Sequence, residues 1–187
     1  MPKAKEAARK ALEIDDSIAE SHVQMGNVDT MYDFDWAGAE REYKRAIEIN
    51  PNYAPAHENY AWLLTAVGRL TEAVAESQRA EELDPRWSWA SADAARAYAL
   101  SGRREQAQRT LDELLARSNS KSGHVSKYAL ARLYAALGDK RRALDELEQS
   151  FAERSFFFDF MRSDPEMDGL RSEPRFQDLV RRMNFPQ

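Results

Sequence analysis

Between residues 36 and 85 one pattern is written twice. In WAGAEREYKRAIEINPNYAPAHENYAWLLTAVGRLTEAVAESQRAEELDP, Ala39, Ala46 and Pro51 recur at one constant offset as Ala73, Ala80 and Pro85. A fixed period near 34, with small residues at fixed offsets and a closing proline, predicts stacked helix-turn-helix units. One such unit cannot bury its apolar face alone, so neighbours must stack, and the expected fold is an all-α, right-handed α-solenoid. Scaffolds of this kind bind other molecules and rarely do chemistry, so the pattern constrains the fold far more than the function.

The period runs on in both directions. Ala4, Ala8 and Ala11 match Ala39, Tyr43 and Ala46 at nearly the same offset, so the chain opens on the second helix of a repeat. Either the half repeat (4–16) is an N-terminal cap or the chain is a piece of a longer protein; arrays need atypical polar units at their ends and this one is ordinary, which favours the piece. Full repeats are expected over 19–53, 54–87, 88–121 and 124–153, within one domain spanning 1–187. The first is one residue longer than the others, and its turn YDFDW is the expected place for the extra residue. Gly68, Gly102 and Gly138 hold the corresponding place in the later repeats. SNSKSG (118–123) lengthens the spacing that follows it, and its composition predicts a flexible connection and a site for a hinge or a proteolytic nick.

The tail, 155–187, departs from the pattern. It holds FFFDF, then SDPEMDGL and SEPRFQDLVRRM, two helix starts in which Ser or an acidic residue caps and proline takes the first helical place. Phe176, Leu179, Val180 and Met183 fall at i, i+3, i+4 and i+7, one apolar stripe that marks a C-terminal cap. Burial beneath this cap is a plainer account of Phe156, Phe157, Phe158 and Phe160 than a membrane or partner anchor.

Charge narrows the partners. Residues 1–94 carry 10 Lys+Arg against 18 Asp+Glu, net -8, and residues 95–187 carry 17 against 14, net +3. An acidic first half argues against general nucleic-acid binding, which needs positive surface against phosphate. The chain has no cysteine, which removes thiolate nucleophiles and cysteine-held zinc. No apolar run approaches the roughly 18 residues of a membrane span, and MPKAKEAARK has no hydrophobic signal core, so a cytoplasmic protein is expected.

The residues that carry the repeat, Gly26, Ala39, Tyr43, Ala46 and Pro51, then Ala61, Gly68, Ala73, Ala80 and Pro85, resemble the tetratricopeptide repeat pattern. The wording YDFDWAGAEREYKRAIEINPNYAPAH, together with LRSEPRFQDLVRRM, is similar to C-terminal repeat regions of bacterial signalling proteins, which are attached to serine/threonine kinase, nucleotide cyclase or winged-helix/TolB-like regulator domains. The resemblance implies a protein-binding scaffold whose helices A line a groove for a partner peptide or helix.

In that register the groove presents Val23 and Asn27, then Glu58, Asn59 and Trp62, then Trp89, Asp93 and Arg96, then Tyr128 and Arg132. The candidate peptide-binding residues are Asn27, Glu58, Asn59, Trp62, Trp89, Arg96, Tyr128 and Arg132, because aromatic and arginine side chains anchor interfaces. The competing account packs Trp62, Trp89 and Tyr128 between helices and gives the arginines either a solvated face or a pair with Glu58 or Asp93. Asn27 and Asn59 resemble the asparagines of a carboxylate clamp, but its basic places hold Val23, Trp89 and Asp93. An acid there would repel a carboxylate.

Catalytic signals are missing. HENYA is not the zinc motif HExxH, because Ala61 holds the second histidine place, and His22 and His57 share one repeat position, which marks them as structural. Asp33 and Asp35 read as turn and N-cap residues, without the glycine of a calcium loop. No enzyme activity, cofactor or metal is expected. The function expected is a protein-protein interaction module, with two alternatives: an intramolecular regulatory arm of a larger signalling protein, and single-stranded RNA binding through the aromatic and arginine residues of repeats three and four.

Overall fold

The computed structural model describes residues 2–85, 88–118, 125–154, 161 and 164–183. Residues 119–124, Trp87, and the cluster Phe156, Phe157, Phe158 and Phe160 lie outside the described residues. Residues 119–123 of the flexible connection expected at 118–123, and the buried cluster expected beneath the cap, fall there, whereas Ser118 ends a helix. The chain divides into two compact units, Met1–Ala90 and Ser91–Gln187, and the division lies inside one helix.

In the first unit, helices run over α1 Pro2–Ile14, α2 Ala19–Val28, α3 Trp36–Ile49, α4 Ala54–Ala66 and α5 Leu70–Leu83. Helix α6, Ser88–Leu100, contains the boundary, and the second unit continues with α7 Arg104–Ser118, α8 Lys127–Leu137, α9 Lys140–Ala152 and α10 Pro174–Arg182. α2 packs on α3, α4 on α5, and α8 on α9, each pair one helix-turn-helix repeat. Ala39, Ala61, Ala73, Ala95, Ala107, Ala131 and Ala143 have no exposed surface. Small side chains let the paired helices approach closely, where a larger one would force strain. Gly26 carries this further: a Cβ there would meet the Tyr43 ring at 2.5 Å. Tyr43 is itself fully buried, and its hydroxyl donates to Asn27 Oδ1 at 2.8 Å.

The turns between helices A and B share one device. Gly68, Gly102 and Gly138 adopt φ of 81°, 79° and 82°, left-handed values that favour glycine. The amide that follows each donates back five residues: Arg69 to the Leu64 carbonyl, Arg103 to Tyr98 and Asp139 to Tyr134. In the first repeat the same place, one repeat length before Gly68, is held by Phe34 at φ 52°. The returning bond there spans six residues, Asp35 to the Asp29 carbonyl, because α2 runs into a π-helical turn, Asp29–Asp33. A π turn takes up one extra residue, which is how the first repeat holds its longer spacing. A left-handed non-glycine residue costs about 1 to 2 kcal/mol, so Phe34 is a strained substitute.

Two histidines clamp successive repeats in one way. His22 meets Glu42 Oε2 at 2.6 Å through Nδ1 and the Asp16 carbonyl at 2.9 Å through Nε2. His57 meets Glu76 Oε2 at 2.6 Å and the Pro51 carbonyl at 3.0 Å. With acceptors at both nitrogens, the His57 ring is satisfied best as a doubly protonated cation. Burial pulls its pKa down, but Glu76 and the Pro51 carbonyl outweigh it, and the net direction is up.

The tail keeps the period in its elements although its residues lose it. α3, α5, α7, α9 and α10 begin at 36, 70, 104, 140 and 174, and a 3-10 turn, Pro165–Leu170, stands where the middle of a fifth helix A would lie. As the Asp-Pro and Glu-Pro signals predict, Pro165 and Pro174 start these two elements, and Asp164 Oδ1 accepts from the Glu166 amide at 2.9 Å. Phe176 and Leu179 are buried, with Met161, Met167 and Leu170, while Val180 and Met183 are half-exposed.

Two outcomes follow from this packing. Ala73→Leu or Ala107→Leu forces a branched chain into a closed contact and should lower the unfolding free energy by about 1 to 3 kcal/mol in urea titrations. His57, with a raised folded pKa, contributes stability that is complete below its unfolded pKa and is lost as pH rises through its folded value. The fall in stability between pH 6 and pH 8.5 should therefore shrink in His57→Gln, measured by chemical denaturation at each pH.

Candidate functional site

The eight groove candidates divide between the two units. In the first, Asn27, Glu58, Asn59 and Trp62 are all half-buried. Asn27 accepts from Tyr43, and Asn59 Nδ2 donates to the Pro55 carbonyl one turn back at 2.7 Å. Trp62 stacks on Trp36, the first residue of α3, with ring centroids 6.1 Å apart and planes at 28°. That pair holds Trp62 in place yet leaves both rings partly open. The repeat pattern could not single out Trp36, since its later counterparts are Leu70, Arg104 and Lys140. Trp89, near the start of α6, is half-buried.

In the second unit Arg96, Tyr128 and Arg132 are 5%, 3% and 4% exposed, and the chain's own tail engages them. Arg132 lies between Asp93 Oδ1, 2.8 Å from Nη2, and Glu166, which accepts from both Nε and Nη2. Arg96 Nη1 is 3.0 Å from Glu166 Oε1. The Tyr128 hydroxyl donates to Asp164 Oδ2 at 2.7 Å, and Arg171 Nη2 donates to the Asp164 carbonyl at 3.1 Å. The competing account of the arginines, pairing with Asp93, holds for Arg132. The partners Asp164 and Glu166 could not be read from the sequence. One signal existed: Arg132 and Glu166 are one repeat length apart, so Glu166 continues the sequence column of Trp62, Arg96 and Arg132.

Three carboxylates and two guanidinium groups share this buried place, and the electrostatics show the imbalance. Burial, and then the charge of Glu166, push Asp164 up to about 6. Burial likewise raises Asp93 against the pull of Arg132. Arg96 is lowered by burial. Arg132 rises despite burial, because Asp93 and Glu166 both hold its charge. These arginines are thus committed to protein carboxylates, which removes them as exposed cations for RNA.

Elsewhere the acidic turn residues have local roles. Asp35 Oδ1 accepts from the Gly38 amide at 2.9 Å and caps α3, and Asp33 pairs with Lys5. Among the described residues no group of three His, Cys, Asp or Glu side chains is placed to hold a metal ion. No described helix is long and apolar enough to cross a membrane.

Comparison with known proteins agrees with this architecture. Three family models described as tetratricopeptide repeat match residues 42–75, 64–122 and 124–149, together more than half of the chain. The chain belongs to the tetratricopeptide repeat family. It is 33% identical over 159 residues to the TPR repeat-containing thioredoxin TTL4 of Arabidopsis thaliana, a match that covers 80% of this chain and 22% of that protein. The chain therefore spans about a fifth of the length of this curated relative. Among solved structures it is similar to TTC0263, a thermophilic TPR protein of Thermus thermophilus, with a TM-score of 0.64 at 20% identity over 87% of each chain. It is also similar to PilF of Pseudomonas aeruginosa, with a TM-score of 0.61 at 21% identity over 97% of this chain and 89% of the other. At these identities the two structures establish the fold, a TPR solenoid without strands among the described residues.

Asp164 offers a direct check of the buried cluster. Its raised folded pKa means that the native state binds more protons than the unfolded chain between about pH 4 and its folded value near 6. Stability should thus fall as pH rises across that interval. Asp164→Asn keeps an acceptor for Tyr128 and should flatten this part of the stability profile, measured by thermal melts from pH 4 to pH 7.

Proposed function

We propose that this chain is a protein-protein interaction module, and that it receives a peptide or domain of a partner on the helix-A surface of its first unit through Asn27, Glu58, Asn59 and Trp62. The observation that carries this reading is the contrast between the units. On α6 and α8 the groove residues Arg96, Tyr128 and Arg132 are covered by the chain's own residues 164–166, whereas Asn27 on α2 and Glu58, Asn59 and Trp62 on α4 stay half-buried, with Val23 of α2 buried. A surface covered in one unit by a short segment with acidic and apolar side chains is well suited to take another such segment where it is open. The stacked Trp36 and Trp62 supply a rigid aromatic anchor at low entropic cost.

A second reading rests on the likeness of YDFDWAGAEREYKRAIEINPNYAPAH and LRSEPRFQDLVRRM to C-terminal repeat regions of signalling proteins: the array is the regulatory arm of a larger cytoplasmic bacterial kinase, cyclase or transcription regulator. Both readings use the same surface and differ in whether the partner is encoded in the same polypeptide.

A photoreactive phenylalanine analogue at position 62 should crosslink a discrete partner in the host cell, while the same group at Glu82 on α5 should not. With that partner purified, Trp62→Ala should weaken binding by about tenfold or more in calorimetry. Unchanged affinity, with the fold retained by circular dichroism, refutes the groove assignment.

A further inference from the structure

The first A–B turn differs from the others in three ways. Its left-handed place holds Phe34 and not glycine. It exposes a run of large apolar side chains, Met31 at 38%, Tyr32 at 36% and Phe34 at 64%. It also stands in an excess of negative charge. The corresponding glycines Gly68, Gly102 and Gly138 have open space where a Cβ would stand, so no neighbour forbids a side chain there and none favours it. At Phe34 the chain retains a strained backbone and presents an aromatic ring to solvent, and strain kept without a packing gain points to a function.

Charge says what the ring meets. Residues 1–90 carry 10 Lys+Arg against 17 Asp+Glu, net -7. Around the turn stand Asp29, Asp33, Asp35 and Glu42, faced by Lys5, paired with Asp33, and by His22, held by Glu42. Burial, and then Asp35, Glu42 and Asp33, hold the Asp29 carboxyl above the usual range. Exposed ring faces on a surface with more acidic than basic groups favour a cation that also carries apolar surface. The chain uses this chemistry internally: Lys44 sits 2.7 Å from Glu40 with its Nζ 5.8 Å from the Tyr60 ring centroid.

We infer that the turn formed by Met31, Tyr32 and Phe34 is a second interaction surface, separate from the helix-A groove, and that its partner is a short protein segment carrying lysine or arginine beside apolar side chains. Binding there is electrostatically assisted and weakens with salt.

The test uses the whole chain and three synthetic peptides of equal length and leucine content, one rich in lysine and arginine, one in glutamate and one in serine, followed by fluorescence anisotropy. The cationic peptide should bind, and its affinity should fall on raising the salt. Phe34→Gly, which installs the residue the other turns use, should melt at or above the wild-type temperature and lose about tenfold in affinity. Tyr32→Ser should weaken binding in the same direction, and Trp62→Ala should leave it unchanged. Equal binding of the glutamate or serine peptide, undiminished binding by Phe34→Gly, or no binding of the cationic peptide overturns the inference. Loss of binding in Trp62→Ala alone assigns the peptide to the groove and overturns it too, while leaving the groove reading intact.

Discussion

Everything in this molecule depends on how closely two helices can approach within a repeat. Seven alanines with no exposed surface hold the contact positions of helices A and B, and at Gly26 even a methyl group is too much. Close approach brings backbone and larger side chains into dense contact, where dispersion and apolar burial act together. It also fixes the column of side chains that each helix A turns toward its neighbours. The small residues therefore decide which other positions are free to differ.

Around that constraint the polar groups are distributed by what the packing leaves unsatisfied. His22 and His57 each bridge a helix-B glutamate and a carbonyl of the segment before helix A. Each links three parts of a repeat that apolar contacts alone would leave free to slide. The buried cluster of Asp93, Arg96, Tyr128, Arg132, Asp164 and Glu166 does the equivalent for the tail. Such a cluster carries a large desolvation penalty against its Coulomb gain, and losing one member of a buried pair costs about 3 to 5 kcal/mol. It is better understood as fixing where the 3-10 turn docks than as a net source of stability.

The proposed function rests on a contrast between the units. In one, the groove column ends in ion pairs with the chain's own tail. In the other, it carries Asn27 and Trp62 in partly open surroundings, beside a turn that displays Tyr32 and Phe34. Acidic charge in residues 1–90 and a half-open aromatic pair are the properties by which this unit would choose a partner.

The turn glycines and the Asp-Pro and Glu-Pro starts were legible in the sequence because each acts within about one turn of its own position, and the repeated alanines because they recur at a fixed period. Their spacing determined an all-helical repeat protein, the place of the extra residue near YDFDW, and the start of each tail element. Tertiary structure alone decided that Phe34 takes a left-handed backbone, that Trp36 stacks on Trp62, and that Glu166 reaches both Arg96 and Arg132. The physical reason is that the Trp36 and Glu166 contacts join elements far apart along the chain, while at Phe34 the packed turn imposes a backbone that its own side chain disfavours. A periodic sequence states which face of a helix each residue occupies, and only the packed chain states what stands opposite.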